Sequence, residues 1–223
     1  MSLGPIAFFG QFGAWTHAAA RQVFGLAADY RENATISNVF TAVATGAAEF
    51  GVVPIENSTE GGVNQTVDEL LERKLWIHGE VVLDIAQCLL GLASDLSHIE
   101  RVASHPQGLA QCRRWLAEHL PNAEQVASLS TTSAARDAAS NAKLAAISSP
   151  LAAELNGLRV LVHGIQDNAE NATRFVVIAS TPRSRKNAMS DGSSIVHTET
   201  FVPRARIRSI APGSRPSTLP LGL

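Results

Sequence analysis

Residues 5–24, PIAFFGQFGAWTHAAARQVF, contain one complete unit of an α/β fold: an apolar strand over 5–9, a glycine turn at 10–13 and an Ala-rich helix over 14–24. The unit repeats along the chain. Strands are expected over 34–37 and 50–55, with helices over 39–48 and 63–73. A long strand-like stretch, 75–92, is broken at Gly79. Further strands are read over 99–103, 125–128, 144–147, 159–162 and 173–179, and helices over 107–119, 132–142 and 150–155. Such alternation predicts parallel sheets covered by helices, and about 180 residues exceed what one small sheet requires. The expectation is two α/β lobes joined near 75–92, with the chain returning to the first lobe around 165–180.

The 223 residues include 18 basic and 20 acidic side chains, 45% hydrophobic residues and a formal charge of −2. That hydrophobic fraction is too high for a disordered chain, and the near-neutral balance argues against a protein that wraps nucleic acid. The total hides an asymmetry, because residues 1–180 carry 11 basic against 18 acidic residues and 181–223 carry 7 against 2. The latter stretch is rich in Pro and Ser and reads as a basic tail without aromatic interleaving. Cys88 and Cys112 lie far apart inside apolar or helical stretches, which indicates neither a disulfide framework nor a zinc site. The start, MSLGPIAFFG, lacks the features of a signal peptide, and no stretch approaches the ~20 apolar residues of a membrane span. A reduced, cytoplasmic protein is expected.

Several helices follow polar caps at strand ends: Thr16 before His17, Ser104 before His105-Pro106, and Ser130-Thr131-Thr132-Ser133 before Ala134. Helix N-termini converging on one crevice favour an anionic small molecule. Gly10-Gln11-Phe12-Gly13 lacks both the dinucleotide fingerprint and the Walker lysine, and no nucleophile elbow or H-E-x-x-H occurs. Three segments are richer in chemistry. Val53-Pro54-Ile55-Glu56-Asn57-Ser58-Thr59-Glu60-Gly61-Gly62 ends an apolar strand in a carboxylate, an amide and hydroxyls. Ser104-His105-Pro106-Gln107 is followed one turn later by Gln111, and Asn168-Ala169-Glu170-Asn171-Ala172-Thr173-Arg174-Phe175 leads a polar loop into a strand. Arginine at such a strand edge forms either a structural ion pair or a two-point carboxylate grip.

Together these segments resemble the prephenate dehydratase family, through G-x-x-G-x-[FW]-[ST] (Gly10, Gly13, Trp15, Thr16), P-I-E-N-S-x-x-G (Pro54 to Gly61), S-H-P-Q with a later Gln-Cys pair (Ser104 to Gln107, Gln111, Cys112), S-T-x-x-A-A (Ser130 to Ala135) and N-x-T-R-F (Asn171 to Phe175). The matches run in order across about residues 5–180. The resemblance implies a two-lobed α/β fold of the type II periplasmic-binding-protein kind, with the substrate cleft between the lobes. The implied organisation is a catalytic domain over 1–180, lobe 1 being about 1–78 and 165–180 and lobe 2 about 79–164, followed by 181–223 as the remnant of a phenylalanine-binding ACT-type regulatory domain. Gln11 and Ala14 depart from the Pro and Thr usual in the family.

The implied activity is the decarboxylative dehydration of prephenate to phenylpyruvate in phenylalanine biosynthesis, by a carbon–oxygen lyase without metal or organic cofactor. By resemblance Thr173 contacts the departing hydroxyl as an oriented donor or relay, and Glu56, with a raised pKa in the closed cleft, is the candidate proton source. Asn57, Ser58, Ser104 and Gln111 would bind substrate oxygens, and Phe175 would exclude water. Arg174 would either clamp an anion or hold Glu56 or the loop. Arogenate dehydratase, a non-catalytic binding module of the same fold and an inactive fragment are the competing readings. The expected partner is a small-molecule substrate, with a homodimer compatible and neither nucleic acid nor membrane implied.

Overall fold

The computed structural model describes residues 3–182, which form two sheets. The first lobe contains β1 (Ile6–Phe9), α1 (Trp15–Phe24), β2 (Tyr30–Asn33), α2 (Ile36–Ala44), β3 (Phe50–Asn57), the short β4 (Gly61–Gly62), α3 (Asn64–Glu72) and β5 (Trp76–Asp84). The chain then enters the second lobe with β6 (Cys88–Gly91), β7 (Arg101–Ser104), α4 (Pro106–Gln111), α5 (Arg113–His119), β8 (Glu124–Ala127), α6 (Thr131–Ala138), β9 (Leu144–Ser148), α7 (Pro150–Asn156) and β10 (Arg159–His163). It returns to the first sheet as β11 (Ala172–Ala179).

The two sheets have the same plan. The first is ordered β2-β1-β3-β11-β5 and the second, read from its far edge, β8-β7-β9-β6-β10. In each, three parallel strands are followed by the strand that has just crossed from the other lobe, running antiparallel. The sheets are therefore mixed rather than wholly parallel, because each crossing strand must run back along its sheet. This is the two-lobed, type II periplasmic-binding-protein-like architecture implied by the motifs.

Four boundaries differ from the sequence reading. The second strand lies at Tyr30–Asn33, upstream of 34–37, because Thr35 caps α2, its side chain accepting from Asn38 N at 3.1 Å. The polar sequence YREN gives this edge strand no hydropathy signal. Gly79 does not end β5, which pairs with β11 from Trp76 to Asp84, but the register shifts at His78 beside that glycine. The change of sheet falls at Ile85–Gln87 instead of residue 78. The helix read over 107–119 divides at Cys112, whose φ of −115° and ψ of 13° interrupt the helical ladder. The tail expected at 181–223 lies outside the described residues from 183 onward.

Packing follows strand alternation. Phe8, Val52, Val81, Phe175 and Val177 meet α1 on one face of the first sheet, while Ala7, Val53, Val176 and Ile178 meet α2 on the other. In the second lobe Ala134, Ala135 and Ala138 of α6 lie against Leu90, Ala103 and Ala146. Cys88 and Cys112 are buried free thiols, and burial pushes the Cys112 thiol up to about 12. Among the described residues no helix is long and apolar enough to cross a membrane.

Candidate active site

The adjacent antiparallel strands β3 and β11 put Thr173 opposite Asn57, and Arg174 opposite Glu56. Neighbouring side chains on a strand point to opposite faces, so one register creates two separate groups. In the first, Asn57 Oδ1 accepts from Thr59 N at 2.9 Å and Glu60 N at 3.1 Å, which fixes the orientation of its amide. Asn57 Nδ2 then donates to Asn171 Oδ1 at 2.9 Å and to Thr173 Oγ1 at 2.8 Å. Thr173 is buried, with an oxygen that already accepts a hydrogen bond and a hydroxyl proton still available to donate.

Glu56 and Arg174 form the second group. Their side chains are about half exposed and 3.4 Å apart, and the guanidinium also lies 3.8 Å from buried Glu80. Glu56 is therefore not enclosed with Thr173, and Arg174 lies between two carboxylates while about half of its side chain stays exposed. Ser58 Oγ donates to Glu170 O and accepts from Ala172 N, both at 2.9 Å, which pins the loop before β11 and leaves the hydroxyl no free proton. Phe175 is 2% exposed and belongs to the core under α1, not to a cleft wall.

On the second lobe, Ser104 is fully buried and its Oγ donates to Ile147 O at 2.8 Å, locking the end of β7 to β9. A Cβ on Gly108 would stand 2.6 Å from that oxygen, so Gly108 lets α4 pass over it. Ser104 thus lies beneath α4 with its hydroxyl proton spent on Ile147 O. Gln111 is half-buried, its Oε1 accepting from Gln87 Nε2 at 3.2 Å. His105 caps α4, its Nδ1 accepting from Gln107 N.

The lobes also meet across the glycine turn. Gln11 Oε1 accepts from Thr132 Oγ1 at 2.7 Å and Ser130 Oγ at 3.0 Å, at the capped start of α6. Ser149, which caps α7, donates to Gly13 O, and Arg21 of α1 pairs with Glu154 of α7 at 3.1 Å. Gly13, at φ +92°, donates its N–H to His17 Nδ1 at 3.1 Å. His17 is 3% exposed and stacks on Phe8 with ring centroids 4.8 Å apart. Burial, helped by the neighbouring Arg21 charge, lowers its pKa to about 4, so the ring is neutral at pH 7. Thr16 does not cap α1; the N-cap position is Ala14, which contributes no side-chain hydrogen bond.

Residue patterns missed Gln87, the partnership of Asn171 with Asn57, and the cross-lobe role of Gln11 and Ser149. Ser149 before Pro150 carried a readable cap signal, whereas pairings across more than a hundred residues carry none.

A profile of the prephenate dehydratase family matches residues 6–183. The bifunctional chorismate mutase/prephenate dehydratase of Stutzerimonas stutzeri is 46% identical over 176 residues, 78% of this chain and 48% of that protein. The chloroplastic arogenate dehydratase/prephenate dehydratase 6 of Arabidopsis thaliana is 40% identical over 184 residues, 79% of this chain and 43% of that protein. Among solved structures, prephenate dehydratase from Arthrobacter aurescens in complex with L-Phe has a TM-score of 0.71 and 37% identity, covering 79% of this chain and 60% of that one. The chain spans about half the length of the curated relatives it matches.

Proposed function

This chain belongs to the prephenate dehydratase family, and on that premise we propose that it converts prephenate to phenylpyruvate, acting as a carbon–oxygen lyase in amino-acid biosynthesis. The observation that carries this reading is the orientation of Thr173. Its oxygen accepts from Asn57 Nδ2, itself locked by Thr59 N and Glu60 N, so the hydroxyl proton is left to donate to a group other than Asn57.

In prephenate the ring C–O bond breaks while the ring carboxylate leaves as CO2, and the released electron pair completes the aromatic ring. Thr173 donates a hydrogen bond to the departing oxygen, and Asn57 strengthens that donor by taking its lone pair. A threonine hydroxyl is too weak an acid to give up its proton outright, so the proton that completes water comes from the medium. Gln111 and the backbone donors at the start of α1, where Ala14 adds no capping side chain, supply hydrogen bonds to the substrate's carboxylates. Glu56 and Arg174 keep β3 and β11 in register from the opposite face.

Phenylpyruvate formation from prephenate by the purified chain is the direct test. Thr173→Ala is expected to lower turnover at least about tenfold, with the fold unchanged by circular dichroism. Unaltered turnover would remove Thr173 from the reaction. Arogenate supplied in parallel separates the two dehydratase activities.

A further inference from the structure

Gln87 lies in the short crossover between β5 and β6, outside every motif that marks the family in this chain. Its backbone is held on both sides: its N–H donates to Gln166 Oε1 at 2.9 Å, and its carbonyl accepts from Ile165 N at 2.9 Å. Both partners belong to the return crossover that precedes β11. Two residues upstream, Ile85 N donates to Asn171 O at 2.7 Å, and Asn171 is bonded to Asn57. Gln87 therefore sits where the lobes join, one step from the Thr173 group.

Its side chain is 5% exposed, and a long polar side chain buried to that extent needs a reason. Gln87 Nε2 donates to Gln111 Oε1 at 3.2 Å, while Gln87 Oε1 is buried with no hydrogen-bond partner among the described residues. Turning both amides over would leave Gln87's buried NH2 without an acceptor, which costs more than one bare carbonyl oxygen. That difference fixes which way Gln111 faces. With its oxygen turned toward Gln87, Gln111 holds its NH2 group on the side away from that partner. Asp167 N donates to the Gln111 carbonyl at 2.7 Å, so the return crossover holds the backbone of the same residue.

We propose that Gln87 is a positioning residue that sets the Gln111 amide as a hydrogen-bond donor toward an anionic substrate. The role rests on the dehydratase reading above. A free amide would present oxygen or NH2 with similar ease, and an oxygen facing a dianion repels it.

A double-mutant cycle in the full chain tests this, with prephenate as substrate and phenylpyruvate as the readout. Gln87→Met removes the donor without adding charge and is expected to raise KM about tenfold, the equivalent of one hydrogen bond, with kcat within about twofold. In a Gln111→Met background the same change is expected to have an effect at least about fivefold smaller, because there is no amide left to orient. Should Gln87→Met fail to fold, Gln87→Leu, also uncharged and without a donor, replaces it in the cycle with the same criterion. Equal effects in both backgrounds, or a loss of kcat at constant KM, overturn the positioning role alone. A wild-type chain that forms no phenylpyruvate overturns the assigned reaction and this role with it.

Discussion

The two lobes share a strand order, but they hold their polar residues in different ways. In the first lobe Asn57 and Thr173 sit on paired strands, so register alone brings them within 2.8 Å and directs them to one face. In the second, the polar residues sit at helix starts: Ser130 closes a capping box with Ser133, Ser149 caps α7, and Ser104 is locked beneath α4. Those hydroxyls already serve backbone groups. Paired strands can therefore present free chemistry, whereas caps spend theirs on holding helices.

The contrast breaks most severely where the lobes touch. Gly13 combines a φ of +92° with a site where a Cβ would stand 3.0 Å from the Ala152 backbone, so Gly13→Ala should cost roughly 2–4 kcal/mol of stability and disturb both lobes together. Urea unfolding of the variant measures this; a loss under 1 kcal/mol would show that the seam yields freely.

Next comes the histidine beneath that turn. His17 titrates near 4 when folded against 6.5 when exposed, so the unfolded chain binds its proton first as pH falls. The stability this histidine contributes is complete above about pH 6.5 and is lost as pH drops toward 4, by on the order of 3 kcal/mol. Unfolding curves at pH 7 and pH 5 should diverge for the wild type and much less for His17→Gln; identical pH slopes would remove His17 as the cause.

The smallest effect separates supporting from binding hydroxyls. Ser104→Ala leaves Ile147 O without its donor and should lower stability by about 1–2 kcal/mol, while kcat/KM for prephenate changes less than about threefold. A tenfold loss of kcat/KM with stability intact would return Ser104 to the substrate.

Much of this was legible in the amino-acid order. Residues 5–24 gave the strand, turn and helix of the first unit, and the repeat of that unit predicted two lobes. By resemblance the N-x-T-R-F and P-I-E-N-S segments put Thr173 and Asn57 around one substrate, and β3 and β11 pair at those two residues. Less legible was the side to which each residue turns. Glu56 and Asn57 are adjacent in the chain yet lie on opposite faces of the sheet, and Arg174 stands beside Glu56 and Glu80.

Local order thus determined the elements and the residue types at their ends, because strand and helix periods, caps and turns depend on neighbours a few positions apart. Only the tertiary structure decided which donors were already occupied. Ser58 meets Glu170, Ser104 meets Ile147, Gln11 meets Thr132 and Gln87 meets Gln111. A hydrogen-bonding group acts on a ligand with whatever capacity its fold partners leave free, and those partners lie from 24 to 121 residues away along the chain.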